Sequence, residues 1–171
     1  VLGVAAQRQD ARFTVLDLAE INLPLFDEPL PPMAASYCNP HTVEWARTID
    51  SFDAFVFVVP EYNHGPPAAL KNAVDYLFAE WNDKAAGFVS YGVEGGIRAI
   101  EQMRLVMAEL KVATVRAHVG LSKIDDFDEL VTFSPRDQQQ RNVSAMLDEL
   151  ADWGGVLRGL RESRIADPVT P

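Results

Sequence analysis

The chain has 171 residues, a hydrophobic fraction of 48%, a charged fraction of 23% and a formal net charge of −10. Length and composition suit one ordinary globular domain over 1–171, and the acidic surface repels phosphate backbones, which argues against nucleic acid as a partner. The single cysteine, Cys38, excludes an intrachain disulfide and fits a reducing cytoplasm, while no apolar run reaches the ~18 residues needed to cross a membrane.

The opening Val1-Leu2-Gly3-Val4-Ala5-Ala6 lacks an initiator methionine and reads as the tail of an amphipathic helix, so further chain is expected upstream of it. Phe13-Thr14-Val15-Leu16-Asp17-Leu18 is the first short apolar run and is expected to be a strand. Leu23 to Pro32 holds four prolines in ten residues and reads as a long ordered loop. Asn39-Pro40 can supply an N-cap and first turn to a helix through Trp45 and Ile49.

Ala54-Phe55-Val56-Phe57-Val58-Val59 is continuously apolar, the pattern of a central parallel strand covered on both faces. After Pro67, residues Leu70, Ala73, Val74, Leu77 and Phe78 recur at helical spacing. A third strand is expected at Gly87–Tyr91. Gly96 precedes a second helical stripe of Ile97, Ile100, Met103, Met107 and Leu110, with both methionines read as core. A fourth strand runs from Ala113 to Val119. Ser134-Pro135-Arg136-Asp137 resembles a capping box opening a helix through Val143, Met146, Leu147, Leu150, Trp153 and Leu157. Strand and helix therefore alternate, which predicts an α/β fold with an open, doubly wound parallel sheet.

In such a sheet ligands bind beyond the carboxyl ends of the strands, and two strand ends carry unusual loops. Pro60-Glu61-Tyr62-Asn63-His64-Gly65-Pro66-Pro67 is dense in proline, glycine and aromatic residues. A stiff loop suits the wall of a site for a flat ligand because little entropy is lost on binding; the competing reading is a turn joining strand to helix. Ser90-Tyr91-Gly92-Val93-Glu94-Gly95-Gly96 places three glycines in five residues, so its backbone can approach a ligand closely, or it is a surface turn. The remaining candidates are weaker. His64 either contacts a ligand or faces solvent, and Arg98 either meets a nucleotide phosphate or is solvated. His41 and His118 read as structural, Lys71 and Asp75 as a surface pair. No His/Cys/Asp cluster has metal-ligand spacing, the acidic stretch Asp125, Asp126, Asp128 and Glu129 lacks a calcium-loop pattern, and no Gly-x-Ser-x-Gly elbow occurs.

Pro60-Glu61-Tyr62-Asn63, then Pro66 or Pro67 and Leu70-Lys71-Asn72-Ala73-Val74-Asp75, resembles the signature of NADPH-dependent FMN reductases, and Ser90-Tyr91-Gly92 with Gly95-Gly96-Ile97-Arg98-Ala99 resembles that family's second flavin loop. Asp17-Leu18-Ala19-Glu20, Leu23-Pro24 and Glu80-Trp81-Asn82 fit as well. The resemblance runs from Val1 to about Ser122 and implies a flavodoxin-like sheet ordered 2-1-3-4-5, with the first strand not in this sequence. The family's Gly-Ser-x-Arg phosphate loop is not in the sequence either, so no phosphate-binding residue is assigned.

The resemblance further implies an FMN site formed by Pro60, Glu61, Tyr62, Asn63, Ser90, Tyr91, Gly92, Gly95 and Gly96, and NADPH or NADH as co-substrate. No catalytic side chain and no metal are assigned. It implies ping-pong transfer to FMN, a quinone or another small acceptor, and a homodimer or homotetramer with Tyr76 and Trp81 as interface candidates. A flavodoxin-like electron carrier without hydride chemistry is the alternative.

Overall fold

Strand β1 (Ala54–Pro60), strand β2 (Ala85–Gly92) and strand β3 (Ala113–Ser122) form a parallel sheet in that order. The computed structural model describes residues 1–166. The register pairs Phe57 with Phe88, Val59 with Ser90 and Pro60 with Tyr91, so β1 and β2 end side by side. On the other side of β2, Gly92 pairs with Ser122. The expected α/β class and parallel sheet are therefore observed, and the strand order matches the 3-4-5 portion of a 2-1-3-4-5 sheet.

The helices are α1 (Leu2–Ala5), α2 (Leu18–Ile21), α3 (Pro40–Asp50), α4 (Ala68–Asp75), α5 (Ile97–Glu109) and α6 (Asp137–Ala166). Alternation along the strands sends side chains to opposite faces, and each face has its own core. Phe55, Phe57, Val59, Ala86 and Phe88 pack with Trp45 and Ile49 of α3, Leu70, Ala73 and Val74 of α4, and Ile100, Met103 and Met107 of α5. Ala85, Val89, Val115 and Val119 pack with Val143, Met146, Leu147 and Leu150 of α6 and with Ala5 of α1. A short hairpin of β4 (Phe127–Asp128) and β5 (Thr132–Phe133) follows β3.

One expected strand is not formed. Phe13–Asp17 has no ladder partner among the described residues, and the run ends by capping α2, Asp17 accepting from the Ala19 amide at 2.9 Å. A strand is stable only when its backbone groups pair. The run Ala54–Val59, expected to be a central strand covered on both faces, is instead an edge strand: the outer side of β1 carries no ladder among the described residues, and Val58, mid-strand, is 58% exposed.

The caps also differ from expectation. Asn39 does not cap α3 with its side chain; its amide nitrogen binds Asp27 Oδ1 at 3.0 Å. Glu28 supplies the acceptor instead, taking the Cys38 and Asn39 amides at 2.9 Å each. Burial pushes that carboxyl up, but these amides outweigh it and hold its pKa below the usual value. At the other end of α3 the buried Lys84 ammonium donates to the carbonyls of Ile49 at 2.7 Å and Asp50 at 3.0 Å. Helix α6 starts at Asp137, later than a Ser134 cap would place it, and the Ser134 amide bonds to the Asp126 carbonyl.

The interface role expected of Tyr76 and Trp81 is overturned: both are buried within the chain, at 0% and 1% exposure. The Trp81 and Trp45 indoles donate to the carbonyls of Val74 and Ala73 near the end of α4. The Tyr76 hydroxyl lies 3.1–3.2 Å from the carbonyls of Pro24 and Leu25 and 3.1 Å from Asp27 Oδ1. With Asn72, which donates to the Pro24 carbonyl and accepts from the Phe26 amide, it fastens the proline-rich loop to α4.

Candidate functional site

The two loops singled out in the sequence stand on neighbouring strand ends. Beyond Pro60 the Glu61 amide bonds to the Tyr91 carbonyl at 2.9 Å, continuing the β1–β2 pairing into the loops. A methyl group placed on Gly92 would stand 3.3 Å from Glu61 Cβ, so the two segments are in contact.

The first loop is a tight turn. Tyr62 and Gly65 exchange both amide–carbonyl bonds at 3.0 Å, and the two residues between them, Asn63 (φ 48°) and His64 (φ 75°), are left-handed. That is the pattern of a type I′ turn, which favours Asn-Gly. Asn suits its place, whereas a left-handed conformation costs other L-residues roughly 1–2 kcal/mol. Tyr62, Asn63 and His64 are exposed at the tip. Glu61 points inward instead: its side chain is only 10% exposed and its carboxylate takes the Arg98 Nε at 2.7 Å and the Arg98 amide at 3.0 Å.

The second loop turns on Gly95 (φ 75°) and Gly96 (φ 73°). A Cβ on Gly96 would fall 2.8 Å from Ser90 Cβ and 2.9 Å from the Tyr91 nitrogen, so glycine is required there. Ser90 is fully buried and its hydroxyl donates to the Gly95 carbonyl at 2.6 Å. Gly96 is also the N-cap of α5, so this loop runs directly into that helix. Burial, and then the neighbouring Tyr62 phenol, raise the pKa of Tyr91 and keep it protonated at neutral pH.

The residues expected to form one site thus divide by what their side chains do. Tyr62 and Asn63 stand exposed at one loop tip, with Tyr91 and Gly92 half-buried beside them and Val93 and Glu94 exposed on the second loop. Glu61, Ser90 and Gly96 are committed to holding the loops in shape. The exposed surface of the pair is therefore Tyr62 and Asn63 on one loop and Val93 and Glu94 on the other, while Gly95 and Gly96 are buried.

Arg98 is placed by its Glu61 pair rather than by a free phosphate-binding position. Gln102, one helical turn further along α5, escaped sequence reasoning. Its side-chain amide donates to the His64 carbonyl at 2.5 Å. The four-residue spacing to Arg98, on the flank of the buried Ile100–Met103–Met107 stripe, was the available signal. His41 pairs with Asp27 at 2.9 Å, and Lys71 with Asp75 at 2.7 Å. Asp126, from the acidic stretch, is buried and bound to Arg136 and Gln139.

Comparison with known proteins places this geometry. The sequence model of the NADPH-dependent FMN reductase family matches residues 1–126. The NAD(P)H-dependent FMN reductase LOT6 of Saccharomyces cerevisiae is 42% identical over 113 residues, 63% of this chain and 59% of that protein. A quinone reductase of Pseudomonas putida is 31% identical over 154 residues, 81% of this chain and 77% of that protein. The chain spans about half the length of the curated FMN reductases it matches, 50% to 59% for three of them. Among solved structures, FerB, a flavoenzyme NAD(P)H:(acceptor) oxidoreductase from Paracoccus denitrificans, superposes with a TM-score of 0.68 at 18% identity over 90% of this chain and 84% of that one. That likeness speaks for the fold.

Proposed function

The chain belongs to the NADPH-dependent FMN reductase family, and from that premise we propose that it acts as an NAD(P)H-dependent flavin oxidoreductase. FMN lies against the Pro60–Asn63 and Ser90–Gly96 segments, and electrons pass from NADPH or NADH to FMN, a quinone or another small acceptor in a ping-pong sequence. The observation that carries this reading is the pairing of Pro60 with Tyr91, which sets the two stiff loops on adjacent carboxyl ends of a parallel sheet.

Bound FMN supplies the redox chemistry. The chain's part is to place and shield it. Tyr62 offers an aromatic face and Asn63 a polar group for a ring edge. Gly92 and Gly95 let the second loop pack closely against the first loop and β3, a Cβ on Gly92 standing 3.3 Å from Glu61 Cβ and one on Gly95 3.5 Å from the Gly120 backbone. Glu61, Ser90 and Gly96 belong to the same site as supports of its two walls. No side-chain acid or base is required, and the raised pKa of Tyr91 suits a neutral hydrogen-bonding role.

The whole is one flavin-binding domain, cytoplasmic, and paired as a homodimer or homotetramer. The self-association is supported by Leu25, Phe26, Leu30 and Met33, which expose apolar side chains along the proline-rich loop. The test is anaerobic addition of NADPH to the FMN-loaded protein. Rapid bleaching of the yellow flavin absorbance is expected. An unchanged spectrum with FMN still bound overturns the reductase in favour of an electron carrier, and failure to retain FMN overturns the flavin site itself.

A further inference from the structure

We infer that Gln102 is a positioning residue for the flavin site, acting by holding the left-handed Tyr62–Gly65 turn against α5; this rests on the proposed FMN site between the two loops. The turn presents Tyr62 and Asn63, yet its second central residue is His64, at φ 75°, where glycine is the residue such a turn favours. A turn with an unfavourable residue at its centre keeps its shape only if the surroundings hold it.

Helix α5 supplies the hold. Gln102 donates to the His64 carbonyl at 2.5 Å, and its side-chain oxygen lies 3.0 Å from where a Cβ on Gly65 would be, so the amide fills the space against the turn's last residue. One helical turn earlier, Arg98 grips Glu61 at 2.7 Å through its side chain and at 3.0 Å through its amide, and its guanidinium lies 3.5 Å from His64 Nδ1. Because α5 begins at Gly96 in the second loop, one rigid helix sets the spacing of both walls. Arg98 anchors the base of the first loop, and Gln102 fixes its tip.

The inference separates a positioning role from mere packing through a rescue. Gln102→Ala should weaken FMN binding, read by quenching of flavin fluorescence, by roughly 3- to 10-fold, the worth of one net hydrogen bond. His64→Gly, which leaves Asn63-Gly at the centre of the turn, should on the Gln102→Ala background restore affinity to within about 2-fold, because the turn then needs no external hold. The same Gln102→Ala protein, without flavin, should exchange the Tyr62 and Gly65 amide hydrogens faster, with His64→Gly reversing the change.

Unchanged FMN affinity in Gln102→Ala, or a loss that His64→Gly fails to restore, overturns the positioning role while leaving the flavin site standing. If the unsubstituted protein binds no FMN, the functional reading fails, and amide exchange still decides the hold on the turn: unchanged rates in Gln102→Ala refute it.

Discussion

The Ser90 hydroxyl donates to the Gly95 carbonyl at 2.6 Å from a fully buried position at the end of β2. The bond folds the loop back over its own strand and aligns Gly96 as the cap of α5. The Ser90 side chain thus fastens the loop to its strand. Its consequence falls on the glycine beside it.

Gly96→Ala should be the most damaging single-methyl change in the second loop. The new Cβ would lie 2.8 Å from Ser90 Cβ in a backbone at φ 73°. Overpacking costs typically ~1–3 kcal/mol, and the left-handed alanine adds about 1 kcal/mol or more. Thermal unfolding should show a clear loss of stability together with weaker FMN retention. A variant as stable as the parent would mean that the loop shifts freely and does not form a stiff wall.

Asp126 links the β4–β5 hairpin to α6 and should shape stability in acid. Burial pushes its carboxyl up, but hydrogen bonds from Arg136, Gln139 and the Ser122 amide outweigh this and hold its pKa below the ordinary 3.8. A depressed folded pKa contributes stability that is present in full above about pH 4 and is lost as pH falls below it. Asp126→Asn should lower stability at neutral pH by about 1–3 kcal/mol, the cost of buried donors left unsatisfied. It should also flatten the fall in stability below pH 4. Denaturant titrations at a series of pH values check both, and an acid limb identical to the parent's would remove Asp126 from it.

Lys84 should act at the alkaline end. Burial lowers its pKa from 10.5 to about 8 although the ammonium caps α3. Between those values the unfolded chain holds the proton more firmly than the folded one, so this group makes stability rise with pH from about 8 to 10.5. Lys84→Met should abolish that rise. An unaltered slope in the same range, measured by denaturant unfolding, would show that the ammonium keeps its proton in the fold.

Much of the architecture is legible in one dimension. The unbroken apolar run at Ala54–Val59 marks a strand of a parallel sheet, but the burial it suggests on both faces is met on one: Phe55, Phe57 and Val59 are buried while Val58 is exposed. The helical stripe from Ile97 to Leu110 marks the face of α5 that packs, and Met103 and Met107 are fully buried, as core residues should be. The density of proline and glycine after two strands marked the segments that meet at adjacent strand ends, because these residues restrict or free the backbone locally, whatever surrounds them.

Other features depended on what each segment met in space. Phe13–Asp17 has strand composition, yet a strand forms only when another supplies its backbone bonds. Trp81 and Tyr76 are as plausible on an interface as in a core, and only the closing of the proline-rich loop over Tyr76 and the packing of Trp81 against Trp45, Phe55 and Phe57 decided it. Glu61, Ser90 and Arg98 carry groups that could serve a ligand or the protein. Composition and local periodicity declare themselves along the chain. Which donor meets which acceptor is set by contacts between residues tens of positions apart, such as Glu61 with Arg98, and those exist only once the sheet has brought the loops together.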